Sequence, residues 1–355
     1  MNTPHKTKVL VVDDSALMRR LVTEILSSDP SIEVVGSAAD PYVARDKIMS
    51  LKPDVLTLDV EMPRMDGLTF LSKLMASRPM PVVMVSSLTE KGCETTLKAL
   101  ELGAIDFVSK PKVDLTSGMT CLSNEIVEKV KTAARANVRR LQPASQSRSA
   151  VPPCGDSLIT STHKVIAIGA STGGTEALAE LLQSLPPDSP GIAAVIHMPA
   201  GFTKKFAKRL DERCVLTVAE AQNGDVILPG HVLLAPGNFH MEIRRGGAKY
   251  AVKVREGDRI KQHRPSVDVL FESAAKYLGS NGIGVILTGM GDDGADGMLA
   301  MHKAGAATIA QDEASCVVFG MPKEAINRGG VDQVMPLKDI GAGIIDVARK
   351  MAETV

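Results

Sequence analysis

Tryptophan is absent from this chain of 355 residues, and there are only three tyrosines and seven phenylalanines. So few aromatics weigh against a surface that stacks nucleic-acid bases. An excess of either charge is also lacking: 41 basic residues stand against 41 acidic ones, so no strong overall field draws the chain to nucleic acid or to a membrane surface. The five cysteines, Cys93, Cys121, Cys154, Cys214 and Cys316, are odd in number and scattered, with no C-x-x-C pair. That excludes a disulfide framework and a zinc knuckle, and fits reduced thiols in the cytoplasm. No apolar run approaches the roughly 18 residues of a membrane-spanning helix. The first one stops at Asp13 and Asp14, too short for a signal segment.

The length allows two domains with separate cores. From Lys8 to Asn124 short apolar runs at 9–12, 33–37, 55–58, 82–85 and 105–108 alternate with amphipathic stretches at 16–26, 42–49, 68–75 and 95–102. Five strands alternating with helices predict a parallel, doubly wound sheet, whose chemistry collects beyond the carboxyl ends of its strands. Asp13 and Asp14 end the first strand, Asp59 the third, Ser86 the fourth and Lys110 the fifth. One aspartate at such a place is often only a helix cap. Three crowded carboxylates repel one another unless a cation joins them, and a hard, oxygen-seeking ion such as Mg²⁺ fits while keeping sites for phosphate oxygens. Lys110 can then balance the charge of a phosphoryl group, and the Ser86 hydroxyl can hydrogen-bond to it.

With VLVVDDSALMRR at 9–20, LTLDVEMPRMDGL at 56–68, MVSS at 84–87 and FVSKP at 107–111, this segment resembles the response-regulator receiver family. The resemblance implies a flavodoxin-like fold of strand order 2-1-3-4-5 and phosphorylation of Asp59 by a histidine kinase. It implies Mg²⁺ held by Asp14, Asp59 and the Val60 carbonyl, with Asp13 nearby or acting through water. Ser86 and Lys110 become the switch and phosphate-contacting residues, and Phe107 stands where the family keeps an aromatic that moves with the switch.

A helix-like segment at 124–141 precedes QPASQSRSAVPPCGDS at 142–157, which is rich in Ser, Pro, Ala and Gln and reads as a tether. The expected domains are therefore a receiver at 7–125, a helix and linker at 126–157 and a catalytic domain at 158–352. Strand-like runs resume at 165–168, 192–197, 215–219, 232–235, 251–254, 283–287 and 307–310, so a second α/β sheet domain is expected.

Three glycine-rich turns close strands of this second domain: IGASTGG at 168–174, HMPAG at 197–201 and TGMGDDG at 288–294. Gly169-x-Ser171-x-Gly173 fits a nucleophile elbow, in which a helix opening beyond the serine offers N–H groups to an oxyanion. A phosphate-binding turn is the plainer alternative. A serine nucleophile needs a base, and the base an orienting carboxylate. Of seven histidines, only His197 shares the placement of Ser171 at the end of an apolar strand. His231 and His240 fall in expected turns, His263 in a polar loop before Pro265, and His302 on a helix surface. Asp292 or Asp293 supplies the acid; spacing does not separate them. The same turn matches G-x-G-x-x-G, but two aspartates would face a pyrophosphate there, which argues against dinucleotide binding.

The segments IGASTGG, HMPAGF at 197–202, LAPGNFH at 234–240, RPSVDVLF at 264–271 and LTGMGDDGADGM at 287–298 make this half similar to the CheB family of chemotaxis protein-glutamate methylesterases. That resemblance implies Asp293 as the acid, with Thr172 and Met290 near the oxyanion. It implies demethylation of glutamyl methyl esters, and deamidation of certain glutamines, on chemoreceptors, gated by phosphorylation from the chemotaxis kinase CheA. No cofactor is expected in the catalytic half, and the chain is expected to act as a monomer. A receiver fused to a DNA-binding output is the rival class, but such outputs are small, basic and helical. A scaffolding module would leave the strand-end Ser, His and Asp unexplained.

Overall fold

A computed structural model describes residues 6–87, 89–110, 119–136, 138, 164–247 and 249–353, in a chain that divides into two units, Met1–Ser145 and Gln146–Val355. The predicted tether at 142–157, together with Pro111, His5, His163 and Cys154, lies outside the described residues.

The first unit alternates β1 (Thr7–Val12), α1 (Ala16–Ser27), β2 (Ile32–Ala38), α2 (Pro41–Leu51), β3 (Val55–Asp59), α3 (Gly67–Ser77), β4 (Val82–Ser86), α4 (Glu90–Glu101), β5 (Asp106–Ser109) and α5 (Met119–Ala134). Its strands pair in parallel in the order β2-β1-β3-β4-β5. Every residue of β3 and β4 is buried, as a parallel sheet covered on both faces requires. The helices start where the sequence supplies caps. The Ser15, Asp66 and Thr89 side chains accept main-chain N–H groups of the first turns of α1, α3 and α4, and Asp40 does so for α2 ahead of Pro41. The expected boundary at residue 125 cuts through α5. Its buried residues Ile126, Val130 and Ala133, and the Lys131–Asp29 ion pair at 3.3 Å, bind that helix to the first unit.

The second unit contains β6 (Val165–Ala170), α6 (Gly174–Ser184), β7 (Gly191–Ile196), α7 (Phe202–Asp211), β8 (Thr217–Glu220), β9 (His231–Leu234), β10 (His240–Gly246), β11 (Lys249–Arg255), α8 (Val267–Leu278), β12 (Gly282–Ile286), α9 (Ala295–Lys303), β13 (Ala307–Gln311), α10 (Met321–Asn327), β14 (Gln333–Met335) and α11 (Leu337–Glu353). Seven strands form a parallel sheet in the order β14-β13-β12-β6-β7-β9-β8. From β6 the chain builds outward through β7 on one side and later returns to β12 on the other. The crevice at that reversal is where α/β sheets hold ligands.

The predicted run at 251–254 does not join this sheet: β11 pairs antiparallel with β10 in a separate hairpin. Sequence reading missed β10 because its charged residues interrupt the apolar pattern. Met241 and Ile243 enter the core, while Glu242, almost fully buried, is neutralised by Arg244 and by Arg255, the latter at 2.5 Å. The run at 215–219 begins late, at Thr217, where its pairing with His231 of β9 starts. His231 and His240 open strands rather than occupying turns. The short edge strand β14 was also not anticipated.

Candidate active site and phosphoacceptor cluster

The three glycine-rich turns lie at the carboxyl ends of β6, β7 and β12, adjacent strands in the order β12-β6-β7. Each turn leads into a helix whose N-cap is a glycine with positive φ: Gly173 at 76° for α6, Gly201 at 86° for α7 and Gly294 at 93° for α9. Such angles favour glycine, and they swing the chain from strand to helix without a side-chain cap. In an elbow of the α/β-hydrolase kind the serine itself carries the strain. Here Ser171 is not among the non-glycine residues with positive φ, and the left-handed residue is Gly173.

The structure brings Ser171, His197 and Asp293 together. The Ser171 hydroxyl stands 3.1 Å from His197 Nδ1, and His197 Nε2 stands 2.8 Å from Asp293 Oδ2. Those partners define the tautomer: Nε2–H donates to the carboxylate, leaving the Nδ1 lone pair for the serine proton. Asp293 is buried, and its remaining capacity is filled from the start of α8. Oδ2 also accepts the Val267 N–H at 2.7 Å, and Oδ1 accepts the Ser266 hydroxyl at 2.8 Å and the Asp268 N–H at 3.1 Å. Burial alone would raise its pKa; the His197 bond and charge, then the Val267 and Ser266 donors, overcome that and hold it well below the usual carboxylate range. Asp292, its neighbour, turns outward to Lys261 at 3.2 Å and Arg328 at 2.5 Å.

Close packing makes this grip possible. A Cβ on Gly169 would lie 2.2 Å from Val267 Cγ1, and one on Gly294 2.5 Å from the same atom. Both glycines therefore let the amino end of α8 settle against the sheet, where its free N–H groups reach Asp293. In the turn that matches G-x-G-x-x-G but argues against dinucleotide binding, Gly294 admits the start of α8.

Thr172 is buried in the serine turn, and its carbonyl lies 3.0 Å from the Thr288 hydroxyl. The Ser171 N–H donates to the Thr288 carbonyl at 3.0 Å and is thus engaged within the scaffold. Met290 follows Gly289, whose Cα approaches so closely that an added Cβ would stand 2.8 Å from that of Ser171. Sequence reasoning missed Thr288, Ser266 and Lys261. It also set aside His263, whose ring stacks on that of His197, with centroids 3.6 Å apart and planes 8° apart. Ser266 and His263 lie in or beside the quoted RPSVDVLF segment, but no spacing rule assigns them a contact.

In the first unit, ligand-type oxygens of Asp13, Asp14 and Asp59 lie within 4.8 Å of one another. Asp13 and Asp59 are buried and Asp14 is exposed. The Lys110 ammonium ion-pairs with Asp59 at 2.8 Å and with Asp13 at 3.5 Å. Apart from that cation, Asp13 Oδ2 and both Asp59 oxygens are buried without a well-formed hydrogen bond. Burial, partly offset by Lys110 and reinforced by Asp13, pushes the Asp59 pKa up to about 6. Oxygen-only, underbonded and open to solvent on the Asp14 side, this donor set fits a hard divalent cation such as Mg²⁺. The Val60 carbonyl accepts the Gly67 N–H at 3.0 Å. The Ser86 hydroxyl faces α4, bonded to Thr96 Oγ1 at 2.6 Å, so contact with a phosphoryl group requires it to turn. Phe107 is buried with the Lys129 ammonium 5.1 Å from its ring centre.

Fold and site together define a class, a receiver unit joined to a serine-hydrolase unit. The family model "CheB methylesterase" matches residues 166–344, and "Response regulator receiver domain" matches 9–117. The chain is 60% identical to the protein-glutamate methylesterase/protein-glutamine glutaminase of Bordetella parapertussis, over 96% of this chain and 97% of that one. It is 55% identical to the enzyme of that name from Nitrosomonas europaea, over 96% of each chain. The crystal structure of the Thermotoga maritima CheB methylesterase catalytic domain covers 55% of this chain and all of its own, with a TM-score of 0.50 at 41% identity. The chain belongs to the CheB methylesterase family. No helix among the described residues is long and apolar enough to cross a membrane.

Proposed function

We propose that the second unit hydrolyses glutamyl methyl esters on chemoreceptors, and deamidates certain receptor glutamines, with Ser171 as nucleophile, His197 as base and Asp293 as its orienting acid. The supporting observation is the unbroken relay from the Ser171 hydroxyl through both imidazole nitrogens to a buried, fully hydrogen-bonded carboxylate. His197 Nδ1 takes the serine proton as Oγ attacks the ester carbonyl carbon. The imidazolium then returns that proton to the departing methoxide, and methanol leaves. Water, deprotonated at the same nitrogen, opens the acyl-serine and releases glutamate; for a glutamine the leaving group is ammonia. Asp293 remains ionised throughout and stabilises the imidazolium. Thr172 and Met290 flank the carbonyl oxygen, where developing negative charge needs N–H donors.

The first unit is read as the switch: a phosphorylated histidine kinase, CheA, donates its phosphoryl group to Asp59. Asp13, Asp14, Asp59 and the Val60 carbonyl would hold Mg²⁺, which would supply positive charge against the phosphoryl oxygens. Lys110 balances the phosphoryl oxygens, while Ser86 and Phe107 relay the change. The enzyme acts as a cytoplasmic monomer on its receptor substrate. Methanol release from methylated receptor membranes, with and without a small phosphodonor, tests both halves. Release is expected to rise with the donor and to vanish in Ser171→Ala; an active Ser171→Ala variant would reject the hydrolase reading.

A further inference from the structure

The imidazole of His197 is held at its two nitrogens, whose N–H and lone pair point in the ring plane. Tilting the ring out of that plane would carry the Nδ1 lone pair off the Ser171 hydroxyl, and the two bonds oppose a small tilt only through their broad angular preference. The ring of His263 closes one face at 3.6 Å, nearly parallel. Aromatic faces are usually offset or edge-on, so a close parallel pair requires something to hold it.

The turn carrying His263 is built to do so. Ile260 and His263 exchange two backbone hydrogen bonds, at 3.0 and 2.8 Å, around Lys261 and Gln262, both left-handed at φ 45° and 70°. Two successive non-glycine residues in that region are strained, and strain persists only where surrounding structure enforces it. Lys261 supplies the enforcement: its ammonium reaches Asp268 at 2.8 Å, Asp296 at 2.7 Å and Asp292 at 3.2 Å, all at the starts of α8 and α9 or the turn before α9. The turn is thus pinned to the same elements that grip Asp293.

We infer that His263 is a positioning residue for the general base, its ring acting as a flat wall that keeps the His197 imidazole in the plane shared by Ser171 and Asp293. The inference rests on the hydrolase reading above. It acts on the chemical step and not on substrate capture, since the wall touches the base.

The test is steady-state methanol release by the full-length His263→Ala and His263→Phe variants, with Ser171→Ala alongside and melting curves for each. His263→Ala should lower kcat about ten-fold or more while KM stays within about two-fold, because small misplacements of a catalytic group are costly. His263→Phe, which restores a flat ring, should recover kcat to within about three-fold of wild type. In NMR spectra the His197 ring protons should stay upfield, under the neighbouring ring current, in the wild type and His263→Phe, and move downfield in His263→Ala. A folded His263→Ala with unchanged kcat would overturn the inference, as would a folded His263→Phe no faster than His263→Ala. Should His263→Ala fail to fold, the rate and ring shift of His263→Phe decide alone. Activity in Ser171→Ala would instead sink the hydrolase reading itself.

Discussion

Replacing Asp293 by asparagine removes one negative charge and exchanges one acceptor for a donor, at constant shape. The carboxylate lies 2.8 Å from the imidazole that becomes cationic in the transition state. Unit charges about 4 Å apart at an effective dielectric of about 20 attract by about 4 kcal/mol, close to three powers of ten in rate. Asp293→Asn should therefore lower kcat about 10³-fold, with little change in KM. Stability falls too. Both oxygens accept main-chain N–H groups from the start of α8, so either amide orientation aims an NH₂ at a donor, at a cost of about 1–3 kcal/mol. Asp292→Asn is the control: its half-exposed carboxylate faces Lys261 and Arg328, an arrangement worth at most about 1 kcal/mol. It should leave kcat within about five-fold. Methanol release from methylated receptor membranes gives the rates, and circular dichroism verifies that each variant is folded. A folded Asp293→Asn enzyme within ten-fold of wild type would refute the electrostatic reasoning.

The same carboxylate makes the second unit acid-sensitive. Its folded pKa is depressed, so its stabilisation is complete above the unfolded value of about 3.9 and fades as pH falls below that. Wild-type melting temperature should drop on acidification below about pH 4 more steeply than that of Asp293→Asn. Asp59→Asn should abolish stimulation by a phosphodonor, measured as methanol release. Mg²⁺ should raise the melting temperature of the receiver at pH 8, and less so below about pH 6, where protons compete for Asp59; equal shifts at both pH values would count against the site. Burial pushes the Cys214 thiol up to about 11, so peptide-resolved alkylation at pH 8 should find it nearly inert, its thiolate fraction being about 10⁻³. Rapid labelling would contradict that. Gly294→Ala, whose added Cβ would meet Val267, should destabilise the second unit by about 1–3 kcal/mol in chemical denaturation.

Much of the architecture is legible locally. Apolar runs of strand length between amphipathic stretches announce both parallel sheets, because a strand covered on both faces must be apolar throughout. Residues at the ends of those runs share one edge once the strands are parallel, which is how Ser171 and His197, or Asp13, Asp59 and Lys110, can be grouped in advance. The hairpin β10–β11 escapes this logic, since Glu242 is buried with its own arginines and breaks the alternation.

Direction within a loop is the part that spacing does not carry. Asp292 and Asp293 are adjacent, yet one faces Arg328 and the other His197, because the path from β12 into α9 and the approach of α8 over Gly169 and Gly294 set the side-chain vectors. The same holds for Ser86, which sits at its strand end but turns its hydroxyl toward α4. It holds most of all for His263, 66 residues beyond His197 in a polar loop, where only a strained turn tied down by Lys261 lays one ring upon the other. Residue types and their periodicity determined which groups reach the edge of each sheet; packing between distant helices decided which of them touch.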